Sequence, residues 1–403
     1  MSAIVTYRAA DYAAPVALAG LKGKALVAGI FGLLVGAAGL YFDPSQFYQG
    51  YLVAFVFWLS ITLGCMGLVM LHHLSRGAWG IVIRRPMEAA MSTVPLMALL
   101  FVPLVFGMHE LYEWTHDEVV AASEVLRWKA PYLDETRFVA FAAVYFAAWG
   151  LLAWRLRALS VRQDEAEPGR YFRRLQAWSA VGFLALALTM TFAAVDWLMT
   201  LDPLWFSSLF GLWFFAGSGL SALAFIVVVA SWLAKRQPMA SLFEAKHFHD
   251  YGKLLFAFVM LWAYLSFSQL LLIWSGNLPE EIPFYISRLQ GGWMAVSVLL
   301  LVGQFVVPFL ILLSATIKQR KRTLARVAVW ILAMRWLDYT WHVVPTLEYL
   351  QHEESALLPS LWIDLALLVG LGGVWLWFFF RSLERRPLLP VHDPFLGEYF
   401  GHE

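Results

Sequence analysis

Arg335–Pro345 reads RWLDYTWHVVP, and the apolar run VAVWILAM (Val327–Met334) leads into it. Whether this segment spans a membrane decides how many times the chain crosses and on which side its ends lie. Arginine, aspartate and histidine are expensive inside a bilayer unless they face protein, pair with one another or line a route for ions or protons. At 100° per residue the three side chains fall within a sector of about 60°, so they form one polar stripe on one helix face.

The rest of the chain favours a span. Hydrophobic residues are 61% of 403 and charged residues 14%, against roughly 45–50% and about 25% in a soluble domain. This is the composition of an all-α polytopic membrane protein with little mass outside the bilayer. A net charge of +1 carries no information about nucleic acid. Cys65 is the sole cysteine, which excludes an intrachain disulfide, a thiolate zinc site, a cysteine-held Fe–S cluster and a c-type haem motif. The first apolar run, Ala25–Leu40, leads into Tyr-Phe-Asp-Pro without a cleavage site and reads as a span rather than a signal peptide.

Windows of about 20 apolar residues predict ten transmembrane helices, at 21–42, 51–74, 87–110, 137–157, 175–200, 206–234, 251–275, 290–317, 325–343 and 359–381. Their loops are asymmetric. Of the 29 Lys and Arg residues, only Arg127, Lys129, Arg137 and Arg288 fall on one side, with Arg335 inside the ninth span; all the rest fall on the other. Cationic loops stay in the cytoplasm, so the N-terminal segment 1–20 and the tail 382–403 are both expected to be cytoplasmic.

With that orientation, polar groups collect toward the outer ends of several spans: His109 and Glu110 on the third, Asp196 on the fifth, Ser266, Ser268 and Gln269 on the seventh, and Arg335, Asp338 and His342 on the ninth. Asp364 opens the tenth. Recurrence across helices suggests a proton path. The alternative for Arg335 and Asp338 is a structural i,i+3 pair locking helices together, since a paired buried charge is weak evidence of function. A second group lies at the cytoplasmic end: His72 and His73, Glu88, and HFHDYGK (His247–Lys253) with His249, Asp250 and Lys253. It reads as a vestibule for proton uptake, as a metal site at His-x-His-Asp, or as a solvated helix start capped by Asp250. Of ten histidines none pairs with another in mid-span, so no haem is expected in this chain. Neither is a redox metal.

DWLMTLDPLW (Asp196–Trp205) and LDYTWHVVPTLEY (Leu337–Tyr349) each place Asp-aromatic near the outer end of an outward helix, with a proline following. The two helices are four apart. This suggests two tandem four-helix bundles in one orientation, spans 2–5 (51–200) and spans 6–9 (206–343), flanked by spans 1 and 10. Many secondary transporters instead have inverted repeats, which disfavours a free-standing transporter.

TFAAVDWLMTLDPLWFSSLFGLWFFAG (Thr191–Gly217), HDYGKLLFAFVMLWAYLSFSQLLLIWSGNLPEE (His249–Glu281) and VVPFLILLS (Val306–Ser314) resemble the membrane subunits of alternative complex III. That complex is a bacterial quinol:cytochrome c oxidoreductase, and these subunits belong to the NrfD/PsrC-like family. Of its two paralogues, C and F, the length and LGCMGLVMLHHLSRGAWGIVIRRPMEAA (Leu63–Ala90) are more similar to F. The resemblance implies a multi-pass subunit of the bacterial inner membrane with the two-bundle fold. Its expected partners are a paralogous quinol-oxidising ten-helix subunit, an Fe–S protein and a multihaem cytochrome c, which hold the Fe–S clusters and haem c. It also implies functional roles for Asp196 and Asp202, for His249, Asp250 and Lys253, and for Gln269. No His/Asp pair of a quinone site maps onto this chain, so quinone binding and a purely structural role stay open beside proton conduction.

Overall fold

The computed structural model describes residues 9–350 and 361–396. Among them the chain is helical without strands, and nine helices are long and apolar enough to cross a bilayer. The main elements are α1 (Ala17–Phe42), α2 (Pro44–Ser75), α3 (Arg84–Met91), α4 (Val94–Phe106), α5 (Glu135–Glu165), α6 (Phe172–Trp197), α7 (Phe210–Leu233) and α8 (Ala245–Gly276). They continue with α9 (Pro283–Leu289), α10 (Trp293–Leu300), α11 (Val307–Leu313), α12 (Lys321–Leu350) and α13 (Leu361–Glu384). The nine are α1, α2, α3–α4, α5, α6 with the turn to Leu201, α7, α8, α10–α11 and α13. The helix carrying Arg335, Asp338 and His342 is not among them, because those residues dilute its apolar run.

Local signals explain several helix starts. Asp43 accepts the Gln46 N–H at 3.0 Å with Pro44 in the first turn of α2, and Asp134 accepts the Arg137 N–H at 2.8 Å to open α5. Glu244 and His247 form a capping box at α8. The expected third span, 87–110, departs from its prediction. It breaks at Ser92 and Thr93, whose hydroxyls turn back onto Ala89 and Ala90 carbonyls at 2.7 Å, and it ends at Phe106 before Gly107. His109 and Glu110 therefore lie beyond the helix. The expected eighth span contains a π-helical turn, Leu301–Val306, whose Gly303 carbonyl accepts from the Trp330 indole at 2.7 Å.

In the apolar stretch of α2, 94% of residues are buried, and in α7 78%; no other candidate span exceeds 50%. These two helices form the centre and pack on each other, with Gly64 set against the Ser218 carbonyl. One group is formed by α3, α4 and α6 on α2 with α5 on α6, and a second group by α8 and α12 on α7 with α11 on α8 and α10 on α12; α6 also packs on α7 and α12 on α2. The N-terminal ends of α1, α3, α6, α8 and α12 gather with the C-terminal ends of α2, α5, α7 and α13 at one end of the molecule, the arginine-rich end. Contacts of Lys22 with Glu384, Arg84 with Asp393 and Arg85 with Asp164 join these ends.

α1 and α13 meet through small residues. A Cβ on Gly32 would stand 2.6 Å from the Gly370 nitrogen, and one on Gly29 2.7 Å from that of Val374. With no hydrophobic drive between helices in lipid, close backbone approach is the source of their attraction. Gly32→Val should destabilise the detergent-solubilised protein by about 1–3 kcal/mol through overpacking. Gly23→Val, with nothing within 4 Å of its Cβ, should change stability by less than about 0.5 kcal/mol. Thermal unfolding followed by tryptophan fluorescence distinguishes them, and equal effects would show that the contact is not limiting.

Candidate functional site

Arg335, Asp338 and His342 share one face of α12, turned into the second group of helices. Arg335 Nη1 is ion-paired with Asp338 Oδ2, and the Trp262 indole of α8 donates to the same oxygen at 3.0 Å. Arg335 Nε donates to Ser221 Oγ of α7 at 3.3 Å, and the guanidinium lies over the rings of Tyr339 (4.6 Å) and Trp213 (5.5 Å). A side chain on Gly217 would collide with it. Exposure is 0% for Arg335, 1% for Asp338 and 8% for His342, so the pair is withdrawn from solvent and reaches three helices. His342 Nδ1 lies 2.8 Å from the Asp338 carbonyl oxygen and 3.6 Å from Oδ1. A carbonyl only accepts, so Nδ1 carries the proton and Nε2 is the acceptor of the neutral ring. The ring stacks on Trp213 at 3.8 Å.

Pro345 sits one turn further along α12 and has no N–H to give the Trp341 carbonyl. Arg288 of α9 takes its place. Nε donates to the Trp341 carbonyl at 3.0 Å, while Nη2 donates to the His342 carbonyl at 2.9 Å and to Thr346 Oγ1 at 2.8 Å. Nη1 donates to the Phe284 carbonyl at 2.6 Å. Arg288 is fully buried, stacked on the Phe284 ring at 3.5 Å, and no carboxylate stands within ion-pair distance among the described residues. In the sequence it reads as an ordinary outer-loop cation. Pro345 was the signal, since an unbroken helix through a proline needs a donor from elsewhere.

The other residues expected in an outer polar path are dispersed. Asp196, buried at the end of α6, accepts from Tyr132 at 2.8 Å and Tyr145 at 2.6 Å, with Arg137 Nη1 at 3.5 Å. Asp202 caps the following loop by accepting Leu204 and Trp205 N–H groups at 3.1 and 3.2 Å. Burial pushes its carboxyl upward, against the pull of those amides and of Arg288 and Lys129. Gln269 is buried, and its carbonyl faces Ser207 Oγ at 3.4 Å. Asp364 is buried where α13 meets α2 and accepts from Gln46 at 2.9 Å. His109 and Glu110 are exposed; His109, with a 63% accessible side chain, faces Glu135 at 3.5 Å.

At the arginine-rich end Glu88 belongs to a buried network, and His72 and His73 are buried without a hydrogen bond to it among the described residues. Arg85 pairs with Glu88 at 2.7 Å and with Asp164, while Arg84 lies 3.6 Å from Glu88 and pairs with Asp393 of the C-terminal segment. Ser160 donates to Glu88 at 2.6 Å. His72 Nε2 meets the Gly77 carbonyl at 3.2 Å, and His73 Nδ1 meets Ser179 at 2.9 Å. His249, Asp250 and Lys253 lie apart on the first turns of α8. Asp250 and Lys253 form a solvent-facing pair at 3.2 Å, and no hydrogen bond or ion pair among the described residues joins these three to His72, His73 or Glu88. No group of three metal-ligating side chains converges among the described residues.

A scan of protein-family models and a search of curated proteins find no match to this chain.

Two expectations follow from this geometry. Arg288→Met strips donors from buried carbonyls, each worth roughly 1–3 kcal/mol, and should lower thermal stability. Adding Pro345→Ala restores an amide to the Trp341 carbonyl, so the double variant should regain part of the loss; equal instability would disprove the donor-replacement role. Asp393 lies outside the spans. Burial pushes its carboxyl up, but Arg84 beside it and the Phe395 N–H pull it further down, to below the usual carboxylate range. A depressed acid stabilises the folded state above its unfolded pKa of about 3.9 and loses that contribution as pH falls through the lower folded value. Proteolytic release of the C-terminal segment should stay slow at mildly acidic pH in the native protein and become faster in Asp393→Asn.

Proposed function

We propose that the chain is a ten-span membrane subunit of a quinol:electron-acceptor oxidoreductase of the alternative complex III type, seated in a bacterial inner membrane with both termini in the cytoplasm. On this reading α12 also crosses the membrane, as the ninth of ten spans, and α13 is the tenth. α2 to α6 form one bundle and α7 to α12 the other, flanked by α1 and α13, a division supported by the two groups of helix contacts. The chain holds no redox centre, and electrons pass through the Fe–S and haem c groups of partner subunits. Its contribution is a proton route coupled to quinol oxidation.

The observation that carries this reading is the arrangement around Asp338. A carboxylate buried in α12 is held by Arg335 and the Trp262 indole, with His342 one turn along. Loss of a proton from quinol calls for a nearby acceptor, and a carboxylate stabilised by an arginine can take and return one. The His342 ring, protonated at Nδ1 and open at Nε2, provides the next relay step. A second reading also has its observation. The Arg335 network joins α7, α8 and α12 through Ser221 and Trp262, as a structural lock would.

Asp338→Asn separates the two. In the relay, the variant complex assembles and proton release per quinol oxidised falls in reconstituted vesicles. In the lock, Arg335 is left buried and uncompensated, at a cost on the order of 3–5 kcal/mol, and assembly falls instead. Normal assembly with normal proton yield would exclude both.

A further inference from the structure

The π-helical turn between α10 and α11 has a local cause and leaves one side chain over. Its Val307 N–H bonds back to the Val302 carbonyl. Pro308 follows and has no N–H for the Gly303 carbonyl, so the Trp330 indole of α12 supplies that donor at 2.7 Å. The backbone is thus accounted for. The Gln304 side chain is not: it is 0% exposed, and neither its amide nitrogen nor its amide oxygen has a partner among the described residues. Each unmet group costs roughly 1–3 kcal/mol, which a leucine of similar size would avoid.

Neighbouring contacts place Gln304 relative to Asp338. The π turn packs on α8 and α12. A Cβ on Gly303 would stand 2.7 Å from Met334 Sδ, and Met334 is one helical turn, roughly 6 Å, on the arginine-rich side of Asp338. On the other side of Asp338, the Trp341 indole donates to Ser297 Oγ at 2.7 Å, so α10 and α11 run past the carboxylate. Phe309 stacks on Phe256 of α8 at 5.5 Å, which brings Gln304 near the level of Trp262, the donor to Asp338. We infer that Gln304 holds a buried water on the arginine-rich side of Asp338, and that protons reach the carboxylate through this water. A carboxamide offers two donors and an acceptor, the partners a buried water needs, in a π turn of the kind that recurs at functional sites. The water gives one proton toward Asp338 and takes another from its arginine-rich side. Gln304 is a positioning residue: it orients the water and keeps its own protonation state. The inference rests on Asp338 being the relay of the proposed proton route.

The test is hydroxyl-radical footprinting by X-ray radiolysis of the full chain in mild detergent, read residue by residue by mass spectrometry. A buried side chain is oxidised there only where an ordered water lies against it. Met334, 7% exposed beside the π turn, should be oxidised, while Met66, 0% exposed in α2, should not. Gln304→Leu should lower oxidation of Met334 at least about five-fold, because an apolar site stays dry. Gln304→Asn should restore part of it, and the exposed Met294 should be oxidised equally in all three proteins. Met334 as inert as Met66 in the native protein, or as reactive in Gln304→Leu as in the native protein, would overturn the water site. If Gln304→Leu fails to fold, the native comparison of Met334 with Met66 decides. In vesicles holding the assembled complex, Gln304→Leu should also lower proton release per quinol oxidised. Loss of the Met334 signal with unchanged proton release would overturn the relay step. Asp338→Asn tests the relay reading by itself, so the two failures remain distinct.

Discussion

The ion pair of Arg335 with Asp338 organises the second half of the molecule. Withdrawing either charge alone from water costs several kcal/mol, so α12 can lie inside the protein only if the two enter together and their remaining hydrogen-bonding positions are met. Ser221 and Trp262 meet part of that demand from α7 and α8, and Gly217 leaves room for the guanidinium. Three helices thereby meet at one polar contact. In an apolar medium such a contact fixes position more sharply than packing, because sliding by one turn would expose a charge to hydrocarbon.

The two ends of the molecule solve the same desolvation problem differently. At the arginine-rich end Arg84 and Arg85 are balanced by carboxylates from three separate segments, Glu88, Asp164 and Asp393, so folding of the tail completes the charge balance. At the opposite end Arg288 is balanced by neutral carbonyls and hydroxyls, and Asp196 by two tyrosines and the more distant Arg137. Neutral partners hold a buried ion without cancelling its field. That field acts on neighbours such as Asp202.

What the sequence revealed was mostly short-range. The common face of Arg335, Asp338 and His342 follows from spacing alone, and the apolar runs marked nearly every helix. Partners distant in sequence were hidden: Trp262 is 76 residues from Asp338, and Arg288 is 53 from the carbonyl it caps. Arg84 and Arg85 read as loop cations because positive charge near a helix end usually is solvated; their burial depends on Asp164 and Asp393, which no local pattern announces. His109 and Glu110 looked like the end of a span because the helix was expected to continue through Gly107. The helix stops at Phe106 and leaves both in the open. HFHDYGK is adjacent to His72 and Glu88 in expected depth, but equal depth is not contact.

The glycine-lined contact of α1 with α13 has a consequence for biogenesis. Lys22 and Glu384, which pair at one end of it, are 362 residues apart, so at roughly 5–20 residues per second α1 is made about 20–70 s before its partner. During that interval a helix with a backbone-exposing glycine face stands in the bilayer with its main packing surface unfilled. Any other small-residue helix inserted nearby competes for it. Correct closure thus depends on the order and speed of synthesis, and a slowed ribosome gives the wrong partner more time to dock.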